Sequence, residues 1–406
     1  WEIFWDTLAP MIGGMREANP EAEFICWFYQ PLPQVERADW VYDCAQHMPE
    51  GVTFQYNLES GACKLQEGKW RIGGDYWLSF VGPAIPFKRV AYAARQAKTP
   101  LSAKIQVGCS HEVATVPYVP VPGLLYRKYR EMKKYGVSST MMCWFFGNYP
   151  GVMNEAAGAL AYEDFADGEE AFLMRLAEAE GHGTNAAAVV RSWQALARGY
   201  ERFPVAIEMQ YYGPLHAGAT WPLLADIGMK GLPRSWKPQD EPQGDLIGEC
   251  LANHTLDEAR TLMRGAASEM SGAGYDAVSR AMVLQFEIAA DIFDFYALRR
   301  DAVVASRVRG DFAAARTAVG KMRDILVRER GLRGELAARA ASLAAAETNV
   351  FRKLIYAYEV NTYRRDDAAL AFARTCEPDV IAALDKMDAD ACCRRWTLVD
   401  ELGWWS

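Results

Sequence analysis

The chain has 406 residues, 51% hydrophobic and 24% charged, which excludes a disordered polymer and fits one large domain with an appendage or two domains. Its 44 Lys and Arg against 52 Asp and Glu give a net charge of −8, which argues against a protein that grips nucleic-acid phosphates or anionic lipid. No apolar run approaches the roughly 18–20 residues that cross a bilayer, so no membrane partner is expected.

In chain order, residues 1–15 read as an apolar-faced helix rather than a leader. The first residue is Trp1 rather than Met, so an upstream segment is expected. Short runs rich in aromatic and β-branched residues then recur at 23–30 (EFICWFYQ), 52–59 (VTFQYNLE), 75–82 (DYWLSFVG), 101–108 (LSAKIQVG), 138–145 (SSTMMCWF) and 205–212 (VAIEMQYY). Gly, Pro or Asn bounds each one, so each predicts a strand. Helical spacing over 35–47, 87–96 and 124–135 separates them, whereas 59–75 is too Gly-rich for a helix. Strand-then-helix repetition predicts parallel strands with crossover helices.

An open doubly wound sheet and a closed (β/α)8 barrel both satisfy that pattern. The barrel is favoured because no Gly-x-Gly-x-x-Gly or Walker-type loop follows a strand. One or two barrel strands are then expected upstream of Trp1 or in unassigned segments. Prolines at 233, 238 and 242 mark a boundary, giving a barrel domain over 1–240 and a helical domain over 245–406. In the latter, 256–270, 277–305, 311–330 and 332–358 carry helical spacing. An exposed apolar face on these helices would support a homo-oligomer.

The nine cysteines form no Cys-x-x-Cys pair, and Cys26, Cys109 and Cys143 lie in apolar runs. This predicts free thiols in a reducing, cytoplasmic compartment, unless an export signal has been removed. No metal or cofactor is expected, since no residues have convincing metal-ligand spacing.

Polar and aromatic residues gather just after the strands, at the barrel face where chemistry sits. The densest group is Gly108-Cys109-Ser110-His111-Glu112. It is not a His-Glu-x-x-His helix, because Thr115 holds the fifth position and Pro117, Pro120 and Pro122 follow. Nor is it a Gly-x-Ser-x-Gly elbow, because Glu112 replaces the last Gly. A carboxylic acid at a barrel mouth, with an imidazole beside it, fits best, against a structural ion pair or cap. Glu59 closes another strand, so the two glutamates could supply the protonated and ionised carboxyls that acetal hydrolysis requires. Glu155 is the reserve candidate. Asp75, at a strand's start, and Glu208, mid-strand, are discounted.

Trp27, Tyr29, Trp144, Tyr149, Tyr211 and Tyr212 fall near strand ends, alongside Gln30, Asn148 and Gln210. Aromatic faces stack on pyranose C–H surfaces while amides bond the hydroxyls, which predicts an oligosaccharide or glycoside substrate. His216 and Arg234 lie on later loops within possible reach.

At 108–158 (GCSHEVATVPYVPVPGLLYRKYREMKKYGVSSTMMCWFFGNYPGVMNEAAG), with NLESG at 57–61 and QYYGP at 210–214, the chain resembles bacterial (β/α)8-barrel glycoside hydrolases with a helical C-terminal region. The resemblance is one of architectural style over roughly the first 240 residues. It implies hydrolysis of a terminal sugar by carboxylates at strand ends, by position Glu59 and Glu112. Glu112 would be the proton donor, Glu59 the nucleophile or base, and His111 a supporting group. Two other expectations stay open: a non-catalytic sugar-binding barrel, and a lyase or isomerase of an acidic sugar with His111 as base.

Overall fold

The computed structural model describes residues 1–29, 39–108, 111–113, 116, 118–142, 151–206, 209–210, 213–217, 223, 250 and 254–346. Two compact units result: residues 1–110 with 121–190, and residues 111–120 with 191–406. The boundary expected at 240–245 lies outside the described residues.

The first unit is built on a parallel sheet of four strands, β1 (Phe24–Phe28), β2 (Val52–Asn57), β5 (Leu101–Ile105) and β6 (Val137–Met142), in the order β1-β2-β5-β6. Helices α1 (Glu2–Ala18), α2 (Asp39–Gln46), α3 (Ile85–Ala97) and α4 (Pro122–Lys134) alternate with them. The central strands β2 and β5 are almost wholly buried, while β1 and β6 are more exposed. Among the described residues the sheet is open, so the expected (β/α)8 closure is not shown.

Strand alternation makes the two sheet faces chemically unlike. Phe28, Phe54 and Tyr56 share the face with Leu101, Ala103 and Ile105, and the rings of Phe4 on α1 and Trp40 on α2 pack against Phe28. The other face carries Trp27, Gln55 and Asn57 beside Ser102 and Lys104. Its polar members are as buried as the apolar ones: Gln55, Asn57, Ser102 and Lys104 are each under 5% exposed. Buried polar groups must be bonded to one another, and this face is accordingly a hydrogen-bonded layer. Ser102 Oγ donates to Gln55 Oε1 at 3.0 Å, and Trp27 Nε1 donates to Asn57 Oδ1 at 2.8 Å.

Two expected strands are corrected. Residues 75–82 form a buried loop, although Tyr76, Trp77 and Leu78 are all core. Burial alone is non-directional, and the local hydrogen bonds decide against a ladder. The Asp75 carboxylate takes the Tyr76 N–H at 2.8 Å, and Tyr76 sits in left-handed backbone at φ 69°. In 205–212, residues 205 and 206 are irregular and 209–210 are helical, with Gln210 N–H bonded to the Ala206 carbonyl at 3.0 Å. The Gly-rich link after Glu59 is instead an antiparallel hairpin, β3 (Cys63–Gln66) and β4 (Lys69–Ile72). Its two-residue turn, Glu67-Gly68, has both φ values positive, the conformation that matches strand twist.

Gly73 lies directly against the indole of Trp77, which is fully buried. A methyl group there has to displace that ring. Gly73→Ala is therefore expected to cost about 1–3 kcal/mol, readable in urea unfolding. An unchanged midpoint would show that the loop adapts freely.

In the second unit α6 (Leu256–Met270), α7 (Ala277–Val303) and α8 (Phe312–Ala346) pack as a helical group. Asp276 caps α7, accepting the Ser279 N–H at 2.7 Å while Ser279 Oγ receives the Asp276 N–H at 3.1 Å. A short π-helical segment, Val304–Arg309, then closes on left-handed Gly310. The helices expected at 311–330 and 332–358 are one continuous helix through Ala346, residues beyond it lying outside the described residues. No described helix is long and apolar enough to cross a membrane.

A seam of charge runs between these helices: Arg264 and Arg328 both bond Asp291, and Arg260 bonds Asp294 at 2.6 Å. Glu329 is 4% exposed, and burial pushes its carboxyl up to about 7 against the opposing pull of Arg333, whose Nη2 is 2.8 Å away. The folded state thus holds a proton that the unfolded chain releases near the ordinary value, so stability declines as pH rises toward 7. From pH 5 to 8 a loss of about 3 kcal/mol is expected, and Glu329→Gln should flatten that slope in pH-dependent melting. A slope unchanged by the substitution would assign the dependence elsewhere.

Candidate active site

The polar face of the first unit continues past the carboxyl ends of β2 and β5, where ligands of parallel α/β sheets bind. Period-two alternation carries Gln55 and Asn57 on to Glu59, and Ser102 and Lys104 on to Gln106. Glu59 is fully buried. Its Oε1 accepts the Gln106 backbone N–H at 2.9 Å and pairs with the ammonium of Lys128 on α4 at 2.5 Å, both side chains being 0% exposed. Its Oε2 is buried and has no hydrogen-bond partner among the described residues.

The loop after the hairpin brings a second carboxyl. Asp75 is fully buried and accepts from Asn57 Nδ2. Burial pushes its carboxyl above the ordinary range; Lys104 opposes that shift, and the charge of Glu59 adds to it. The ammonium of Lys104 lies 3.6 Å from the centroid of the Tyr76 ring. Tyr76 in turn bonds the Tyr29 hydroxyl, O to O 2.5 Å, and Tyr29 is 43% exposed. Trp27 and Tyr29 lie 5.0 Å apart, ring centre to ring centre. Two carboxyls, two ammonium groups and three aromatic rings therefore share one cluster that reaches the surface at Tyr29.

Of the expected site residues, this cluster unites Glu59, Trp27 and Tyr29. It also includes Asp75, which stands on a loop rather than at the start of a strand, its carboxylate bonded to Asn57. Glu112 belongs to the second unit, in a 3-10 turn (His111–Val113), where it is fully buried and accepts from the Tyr200 hydroxyl at 2.6 Å. His111 shares that turn, but its side chain lies outside the description. Gln210 is buried in the same unit. Gln30, Trp144, Asn148, Tyr149, Tyr211, Tyr212, Glu208 and Arg234, and the side chain of His216, lie outside the described residues. Glu155 is exposed in the first turn of helix α5 (Val152–Leu160), the position that a helix dipole favours for an acid.

The residues missed carried a readable signal. Lys128 lies four residues from Leu124 and from Met132, on the apolar stripe of α4, and Lys104 interrupts the buried run LSAKI. A cation in either place needs a buried partner. Among the described residues no group of His, Cys, Asp and Glu could hold a metal ion. Burial pushes the Cys26 and Cys44 thiols up to about 11, far from thiolate reactivity.

Fold and site together define a mixed α/β chain whose parallel sheet carries a buried carboxyl–ammonium cluster at its carboxyl edge. Compared with protein-family models, curated proteins and solved structures, the chain matches none.

Proposed function

We propose that the chain is a glycoside hydrolase that cleaves a terminal sugar at the Glu59–Asp75 cluster. The observation carrying this reading is that two carboxyls share one cluster in opposite environments. Glu59 is held by an ammonium and keeps one oxygen unbonded, while Asp75 is pushed toward its protonated form. Acetal hydrolysis needs that asymmetry, one group to give a proton and one to stay charged.

Asp75 gives its proton to the glycosidic oxygen as the C–O bond breaks toward it. Glu59 then either adds to the anomeric carbon or takes a proton from the attacking water. Trp27 and Tyr29 offer ring faces for the sugar, and Asn57 fixes Asp75. The donor role expected for Glu112 passes to Asp75, because the environment of Asp75 favours the protonated acid. In its own unit Glu112 is a bonded acceptor of Tyr200.

The test is release of phenolate from a panel of aryl glycosides that includes acidic and acetamido sugars. Glu59→Gln and Asp75→Asn should each lose about 10²–10⁴-fold in turnover per folded molecule, and Glu112→Gln should stay active. Full activity in either of the first two variants would overturn the reading. Sugar binding by calorimetry with no product from any glycoside would favour a non-catalytic barrel instead.

A further inference from the structure

Resting on the reading of Glu59 as a catalytic carboxylate, we propose that Lys128 is a positioning residue that occupies Oε1 and makes Oε2 the reacting oxygen. The two oxygens of Glu59 are unequal. Oε1 receives the ammonium of Lys128 and the Gln106 N–H, and Oε2 receives no hydrogen bond from the described residues. A buried carboxylate oxygen left without a donor is costly, and such an atom calls for a partner that arrives with the substrate. An anomeric carbon or an attacking water supplies one.

Lys128 is suited to hold the group still. It projects from α4, on the helix face with Leu124, Leu125, Tyr129 and Met132, rather than from a loop. Its side chain is fully buried, and its ammonium lies 2.5 Å from Glu59 Oε1. Asp75 from the loop feels the charge of Glu59, and Lys104 from β5 acts on Asp75 in the opposite sense. Lys128 itself meets no sugar in this scheme. Its removal should therefore be felt in turnover rather than in substrate affinity.

The experiment uses the full chain and a para-nitrophenyl glycoside that it turns over. Lys128→Met should lower kcat by about 10²-fold with KM little changed, as loss of alignment does, and Lys128→Arg should recover part of the rate. A lysine with a purely structural role would change the melting temperature but leave kcat per folded molecule intact.

Where Lys128→Met does not fold, a second arm decides. Glu59→Ala leaves a buried ammonium beside a small cavity, and sodium azide should enter as the replacement anion. Azide attacks the anomeric carbon, the phenolate leaves with the C–O electron pair, and a glycosyl azide forms. In the double variant Glu59→Ala/Lys128→Met, both charges are gone and azide should give no rescue. A folded Lys128→Met with parental kcat overturns the proposal, as does equal azide rescue of the single and double variants. Full activity of Glu59→Gln overturns the underlying hydrolase reading, and is measured on Glu59 alone.

Discussion

Replacing Asp75 by Asn is expected to abolish the basic limb of the pH profile together with most of the rate. A general acid works while it holds its proton. Burial and the Glu59 charge move Asp75 above the ordinary carboxyl range, so its protonated form persists to higher pH than on an exposed aspartate. In the parent chain, kcat/KM should fall as pH rises through that raised value. Asn donates no proton to a leaving oxygen, so the residual activity of Asp75→Asn, down about 10²–10⁴-fold, should be flat over the same range. Glycosides with good leaving groups need less protonation and should be the least affected. An unaltered limb in the variant would assign the acid to another residue. The same shift has a stability consequence. A carboxyl raised in the folded state favours folding less as pH climbs from its unfolded value toward its folded one, and Asp75→Asn should remove that contribution.

The second large effect concerns the ion pair itself. Taking one partner from a fully buried pair strands a charge in a poorly solvating interior. Lys128→Met alone is therefore expected to cost about 3–5 kcal/mol. Removing both charges with Glu59→Leu/Lys128→Met strands nothing, and well-packed apolar replacements of buried pairs are often neutral or stabilising by about 1–4 kcal/mol. Urea midpoints of the two single variants and the double variant form a cycle that separates the pair from its surroundings. A double variant as unstable as the sum of the singles would mean that Glu59 and Lys128 do not depend on each other. A pair of low net value to stability, at the carboxyl edge of a sheet, agrees with its retention for chemistry.

Much of the sheet was legible in the residues. The runs holding β1, β2, β5 and β6 combine aromatic or β-branched content with Gly, Pro or Asn boundaries, and the structure keeps them as parallel strands. The run 75–82 has similar composition and forms no strand. Its aromatic residues are buried, but the Asp75 side chain satisfies the Tyr76 N–H and left-handed Tyr76 bends the backbone locally. Composition reports burial and cannot by itself report pairing. The hairpin escaped because Glu67-Gly68 is a less familiar pair than Asn-Gly for a turn with positive φ.

The site was half legible, for a related reason. Glu59, Trp27 and Tyr29 stand at strand ends, where alternation alone directs them to the carboxyl edge. Asp75 reaches the cluster from a loop and Lys128 from a helix, and no periodicity links those positions to β2. Their common trait is charge in an apolar setting: LSAKI around Lys104, the Leu124–Met132 stripe around Lys128, and DYWLSF after Asp75. Read as a set, three such charges imply mutual partners.

Crystals of the Glu59→Gln variant soaked with the para-nitrophenyl glycoside that the parent chain hydrolyses test the central claim most directly. The sugar should lie against Trp27 and Tyr29, with its anomeric carbon beside the side chain at position 59 and its glycosidic oxygen within hydrogen-bond reach of Asp75. An intact glycoside bound elsewhere, with its anomeric carbon remote from both residues, would contradict the account.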